Sequence, residues 1–186
     1  MWRVGLPGTV AGTTDRFPPP PEAGLVARTD YPLYVVAASD GAEQSGCLAG
    51  FVTQCSIQPA RFLVCLSLEN HTFRVALEAG ALSLHLLGSG QHDVASLFAE
   101  LTGDTVDKFA RCAWHAGATG APVLDQCAAY LEGTVVDRVE VGDHVAFVVA
   151  PVAGAEGPAP GLFTWRDGSD LTPAHPVPSD DGPTRP

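Results

Sequence analysis

A barrel-like, mainly β domain with a few short helices is what this sequence predicts, on three observations. Apolar runs of strand length recur through the middle of the chain, each bounded by Gly, Pro, Asn, Asp or Ser. Only two or three segments carry the 3.6-residue apolar period of a helix, and all are short. The regular alternation of strand and long helix that a parallel sheet requires is not visible. Many short strands with few helices indicate a closed or nearly closed antiparallel sheet.

Residues 1–24 read as a disordered tail, because Phe17 is followed by four prolines, Pro18 to Pro21, with no helical or strand period. The domain is expected over 25–172, and 173–186, with repeated prolines around Asp180, Asp181 and Gly182, reads as a second tail. Pro32 to Ser39 is a strand, Asp40-Gly41 a hairpin turn and Glu43 to Ala49 the returning strand. Arg61 to Leu66 is a short apolar run of strand length, after Pro59. Asn70 is a good N-cap for a helix whose apolar face is Phe73, Ala76 and Leu77, closed by Gly80. Ala81 to Leu87 is again a strand, and Ser89 can cap a helix with Val94, Leu97, Phe98 and Leu101 inward. A second short helix is expected within Thr105 to Cys112. Ala128 to Asp137 and His144 to Val152 pair across Gly142-Asp143, and Leu162 to Arg166 closes the set as a last strand.

At 186 residues, 46% of them hydrophobic and 17% charged, the chain has material for one globular core. A formal net charge of −11 argues against a nucleic-acid partner, which needs a basic face, but leaves room for a nucleotide at a local site. No apolar run reaches membrane-spanning length. The N-terminus lacks the apolar core of a secretory signal, so none is expected. Cys47, Cys55, Cys65, Cys112 and Cys127 are odd in number and not spaced as C-x-x-C, the pattern of reduced cysteines in a cytoplasmic protein. The six histidines do not cluster with them, so no metal site is expected. Gly88-Ser89-Gly90 lacks the third glycine and the βαβ context of a dinucleotide fingerprint.

The chain is organised around Ser45 to Ser67. Before Pro59 this stretch is rich in small residues, among them Cys47, Ala49 and Gly50 with Leu48 between them, which lets a flat ligand approach the backbone. The helix start at Asn70, His71 and Thr72 follows the strand and presents free amides and partial positive charge, a possible anion seat. The run Gly46-Cys47-Leu48-Ala49-Gly50-Phe51-Val52-Thr53-Gln54-Cys55-Ser56-Ile57-Gln58-Pro59-Ala60 resembles the cofactor-lining segment of the flavin reductase-like, FMN-binding split-barrel family. Asp107-Lys108-Phe109-Ala110, Gly120-Ala121-Pro122-Val123-Leu124 and Gly142-Asp143-His144 extend the resemblance over roughly Tyr31 to Arg166. Leu48 and Gly50 stand where the family has hydroxyl residues, so hydroxyl contacts are not carried over to them.

The resemblance implies a split β-barrel homodimer with FMN or FAD near the subunit interface. It implies that Gln54, Cys55 and Ser56 line the isoalloxazine, that Asn70, His71 and Thr72 approach the phosphate, and that His144 lies by the flavin and nicotinamide. On residue type alone, His144 could equally finish the turn, Arg74 could face phosphate or water, and Trp114 and Trp165 are packing residues. The activity implied is an NAD(P)H-dependent flavin reductase, with a flavin-dependent monooxygenase as a possible recipient of the reduced flavin. A flavin-binding carrier or redox sensor without reductase activity is the competing reading, and a dimerisation barrel with a decayed site is a third. Such chemistry rests on the cofactor, which agrees with the lack of a Ser/His/Asp order or a paired-carboxylate motif.

Overall fold

The computed structural model describes residues 21–174. The two proline-rich ends, 1–20 and 175–186, lie outside the described residues. The described part opens on a single helical turn, α1 (Ala23–Val26), inside the segment read as tail.

Seven strands form one antiparallel sheet: β1 (Tyr34–Ser39), β2 (Gln44–Ala49), β3 (Val52–Ile57), β4 (Ala60–Ser67), β5 (Ala81–Leu86), β8 (Ala129–Val141) and β9 (His144–Glu156). Their spatial order is β2-β1-β5-β8-β9-β4-β3. β2 and β3 therefore stand at opposite edges, yet only Gly50 and Phe51 separate them in the chain. Two residues cannot span an open seven-stranded sheet, so the sheet curls until β2 and β3 come round to one another; the Phe51 carbonyl, accepting from the Cys65 N–H at 3.0 Å, extends the β3–β4 ladder up to this seam. This is the expected split barrel. A small second ribbon pairs β6 (Trp114–Ala116) with β7 (Pro122–Leu124).

β1 shows why the barrel holds together. Its four middle residues are all buried. With side chains alternating, Val36 and Ala38 point into the barrel beside Val64, Leu66, Leu82 and Phe147. Val35 and Ala37 point out, under α3 (His92–Glu100) and Phe109, in a second cluster with Leu33, Phe98 and Phe163. β8 and β9 meet at a two-residue loop whose Gly142 takes φ +77°, a conformation open to glycine.

Several boundaries differ from the sequence expectation. α2 (His71–Glu78) begins at Asn70 as expected, the Asn70 side chain accepting from the Thr72 N–H at 2.9 Å, but Val75 rather than Leu77 is buried. α3 starts at His92, not after Ser89; Gln91 holds the entry by accepting from the Gly88 N–H and donating to the Gln126 carbonyl, both at 2.8 Å. Of Thr105 to Cys112 only Phe109–Arg111 is helical, a single 3₁₀ turn. Leu162 to Arg166 forms no strand; it makes one bridge, Pro32 to Thr164, with main-chain bonds from Trp165 to Tyr31 and from Leu33 to Phe163 on either side. In the last two cases few backbone groups are regularly paired, and the Asp107 carboxylate instead takes the N–H groups of Phe109 and Ala110 at 2.9 and 3.1 Å.

Candidate functional site

Where the barrel seam closes, a cleft of about 690 Å³ of empty space opens, its mouth included. Three strand ends and one helix start build it. The end of β2 supplies Cys47, Leu48 and Ala49, the seam supplies Gly50 and Phe51, and the end of β4 supplies Cys65 to Ser67. Asn70 comes from the α2 cap and His144 from the first residue of β9, directly opposite Ser67 in the ladder. The remaining wall is Tyr31, Leu33, Phe98, Trp165 and Pro173. Of the residues singled out in the sequence, the structure thus brings together Cys47, Leu48, Ala49, Gly50, Asn70 and His144.

The others are placed elsewhere. Gln54, Cys55 and Ser56 lie on β3, the free edge of the sheet, around a bulge at Cys55, and the first two are exposed. They do not line the cleft of one chain. His71 turns away from it, bonded through Nε2 to Glu43 and through Nδ1 to Asp104 at 2.9 Å. Arg74 also pairs with Asp104. The Thr102 hydroxyl, His71 and Arg74 together hold the Asp104 carboxyl down at about 2. The basic side chains at this helix start are therefore matched by carboxylates, and Thr72, 1% exposed, spends its hydroxyl on Ser45 at 3.0 Å.

Gly50 is a correction of a different kind. A Cβ at this position would lie 2.7 Å from Cε2 of Tyr31 and 3.3 Å from Cδ2 of Leu33. The close approach expected at Gly50 is real, but the group that approaches is the chain's own tyrosine ring.

His144 has a mostly buried ring that meets Phe51 edge to face at 5.4 Å. Its Nδ1 is 2.7 Å from Oδ1 of Asp143, and among the described residues Nε2 has no hydrogen-bond partner. The hydrogen bond from His144 lowers the Asp143 carboxyl below its usual range, so it is ionised at neutral pH and fixes the imidazole. Behind β2, Lys108 is 5% exposed and donates Nζ to the Gly46 carbonyl at 2.9 Å and the Phe98 carbonyl at 3.2 Å. Burial lowers its pKa. It ties β2, which ends at the cleft, to α3, a function that the Asp-Lys-Phe run does not disclose by pattern. Burial likewise pushes the Cys47 thiol up, so it is not a thiolate at neutral pH.

The cleft fits a flavin on its own features. Most of the side chains that line it are apolar, and a few polar groups (Ser67, Asn70, His144) converge on it.

The chain is similar to known proteins in sequence and in fold. The family model for the flavin reductase like domain matches residues 26–169. The FMN reductase (NADH) RutF of Pseudomonas syringae pv. syringae is 38% identical over 100 residues, covering 52% of this chain and 56% of the relative. The stachydrine N-demethylase reductase subunit Stc3 of Rhizobium meliloti is 31% identical over 135 residues, 72% of this chain and 57% of the relative. The NADH:FAD oxidoreductase SgcE6 of Streptomyces globisporus superposes with a TM-score of 0.72 at 25% identity, over 77% of this chain and 86% of that one. The chain spans about half the length of the curated relatives it matches, between 42% and 57% for three of them.

Proposed function

The chain belongs to the flavin reductase like domain family, and from that premise we propose that it is an NADH-dependent flavin reductase with FMN in the seam cleft. The observation that carries the reading is the convergence of the β2 end, the α2 cap and His144 on one cleft with several apolar and aromatic walls. When bound, the flavin supplies the acceptor for a hydride from the nicotinamide. The protein's own part is positional. The seam backbone and apolar walls hold a planar ring and exclude water from it. His144, whose Nδ1–H donates to the ionised Asp143, turns Nε2 to the cleft as an acceptor when the ring is neutral and as a cationic donor when the ring takes a proton, where charge develops on reduction. FAD in place of FMN, and NADPH in place of NADH, are variants of the same proposal.

We read the assembly as a homodimer. β3 is an unpaired edge with Ile57 85% exposed, and the outer part of the β8–β9 hairpin exposes Val136, Val139 and Val141. A second copy would cover this surface, and would bring Gln54, Cys55 and Ser56 to a cleft that a single chain leaves without them. The reduced flavin's recipient is proposed to be a flavin-dependent monooxygenase; the relative named as the reductase subunit of an N-demethylase supports a separate partner enzyme. The five free cysteines favour the cytoplasm. Among the described residues no helix is long and apolar enough to cross a membrane.

Purified protein mixed anaerobically with FMN and NADH tests the reading. Loss of nicotinamide absorbance only when FMN is present supports it. Flavin retained on the protein without nicotinamide oxidation points to the carrier reading, for which the replacement of family hydroxyls by Leu48 and Gly50 is the supporting feature. Neither binding nor turnover removes both.

A further inference from the structure

One wall of the cleft is an aromatic pair that packs against the second core cluster and yet stays half exposed. Tyr31 and Trp165 stack with centroids 5.6 Å apart and planes at 26°. They come from opposite ends of the domain and are locked by a short zipper of main-chain bonds. The Trp165 N–H donates to the Tyr31 carbonyl at 2.9 Å, and the Leu33 N–H to the Phe163 carbonyl at 2.9 Å. Between them Pro32 bridges Thr164, whose N–H and hydroxyl are held by Asp167. The zipper buries its other large side chains almost fully, Leu33 and Phe163 each at 1% exposure. Trp165 and Tyr31 are left half-buried, facing the cleft. Tyr31 is backed by Gly50, where no side chain larger than hydrogen fits without displacing it. The result is a partly open π surface, held by main-chain bonds, on the wall of the cleft.

We propose that the Tyr31–Trp165 pair is a stacking platform that positions a planar nucleotide ring in the cleft and so sets ligand affinity. This rests on the flavin reductase reading and deepens it. The shared chemistry is a flat nitrogen heterocycle, supplied by either the flavin or the nicotinamide nucleotide. Offset stacking on a preset surface adds affinity without altering the hydride step, because the ring is held equally before and during transfer. Trp165 is thus a positioning residue rather than a catalytic one.

The full chain with Trp165→Leu, which keeps apolar bulk, and with Trp165→Phe, which keeps a stacking ring, tests this. FMN is titrated by equilibrium binding, and NADH by steady-state kinetics at saturating FMN. The expected result is a roughly 3- to 10-fold rise in either the FMN Kd or the NADH KM for Trp165→Leu, with kcat unchanged and Trp165→Phe near wild type. The arm that moves identifies the ring. Wild-type values of both in Trp165→Leu overturn the platform, while wild-type flavin binding keeps the reductase reading in place. Equal losses in both variants with lowered melting temperatures also overturn it, showing Trp165 to be packing. If the wild-type protein binds neither FMN nor NADH, both readings fall together.

Discussion

Glu132 and His85 are buried polar residues with their hydrogen-bonding atoms taken, whereas Ser67, Asn70 and His144, of similar chemistry, line a cleft with part of their capacity unspent. The Glu132 carboxylate accepts from the N–H groups of Ala118 and Thr119 at 3.0 and 2.8 Å and from the Thr119 hydroxyl at 2.8 Å. The His85 Nδ1 donates to the Val35 carbonyl at 2.9 Å, and its Nε2 accepts from the Leu124 N–H at 3.0 Å. Those bonds fasten the β6–β7 ribbon onto β1, β5 and β8. In the cleft, by contrast, His144 uses only Nδ1. A closed network spends its polar groups on rigidity, and an open one keeps them for a ligand. The first region should therefore answer to stability measurements and the second to binding and kinetics.

The sharpest break with that division would come from Glu132. Glu132→Ala strips two backbone N–H groups and a hydroxyl of their acceptor and leaves a void under Gly117, whose virtual Cβ sits 2.4 Å from Oε2. A loss of about 4 kcal/mol in denaturant unfolding is expected, summed over the orphaned groups. Flavin affinity per folded molecule should be unchanged. A loss under about 1 kcal/mol would mean that water replaces the carboxylate and that the closed network is not what holds the ribbon.

His85 gives the same region a pH signature. Burial lowers its pKa from 6.5 to about 4, so the folded state keeps the ring neutral where the unfolded chain protonates it. The unfolded state then binds the extra proton between these values, and stability rises with pH across that window. The contribution is complete above about pH 6.5 and is lost as pH falls to about 4, a change on the order of 3 kcal/mol. Glu132 works in the same sense at lower pH. Burial alone would raise its carboxyl, but the Thr119 and Ala118 donors outweigh this and leave it below its usual range. Unfolding free energies measured from pH 7 to pH 4 should slope accordingly, and His85→Gln should flatten the slope. An unchanged slope in the variant would assign it to other groups.

How much of this was legible in the sequence depended on how local each cause is. The β1–β2 hairpin and the Asn70 cap are written within a few residues, and the structure shows them as read. β8 and β9 run to Val141 and Glu156, further than their apolar alternation suggested on the outer side, because those ends are exposed on both faces and carry no burial pattern. Gly50 registered that something comes close, but the closing group, Tyr31, is set by tertiary packing and has no neighbouring signal. Trp165 joined the cleft for the same reason. His71 was read as an anion seat from its position alone; Glu43 and Asp104, which occupy it, arrive from two other loops.

His144 tests the open side of the comparison. His144→Ala should slow anaerobic reduction of bound flavin roughly 30-fold, as removal of one positioned donor or cation does, with little change in flavin affinity. If the ring only finishes the Gly142-Asp143 turn, the melting temperature falls instead and the reduction rate per folded molecule stays at the wild-type value.

The smallest effect separates the two uses within one residue. Asn70 lines the cleft, yet its Oδ1 is already committed to the Thr72 N–H as the cap of α2. As a cap it is worth about 1 kcal/mol, so Asn70→Ala should lose about that much stability and Asn70→Ser should recover most of it, since a serine hydroxyl caps as well. If capping is its whole contribution, FMN affinity measured well below the melting temperature stays within a factor of about three in both variants, a shift below 1 kcal/mol. The amide nitrogen could instead serve the ligand while the oxygen serves the helix. Serine then restores the melting temperature but not the affinity, because it supplies an acceptor for Thr72 without a second donor for the cleft. That split outcome would move Asn70 from the closed class of polar residues to the open one, and would make the α2 start a ligand-binding element as well as a helix end.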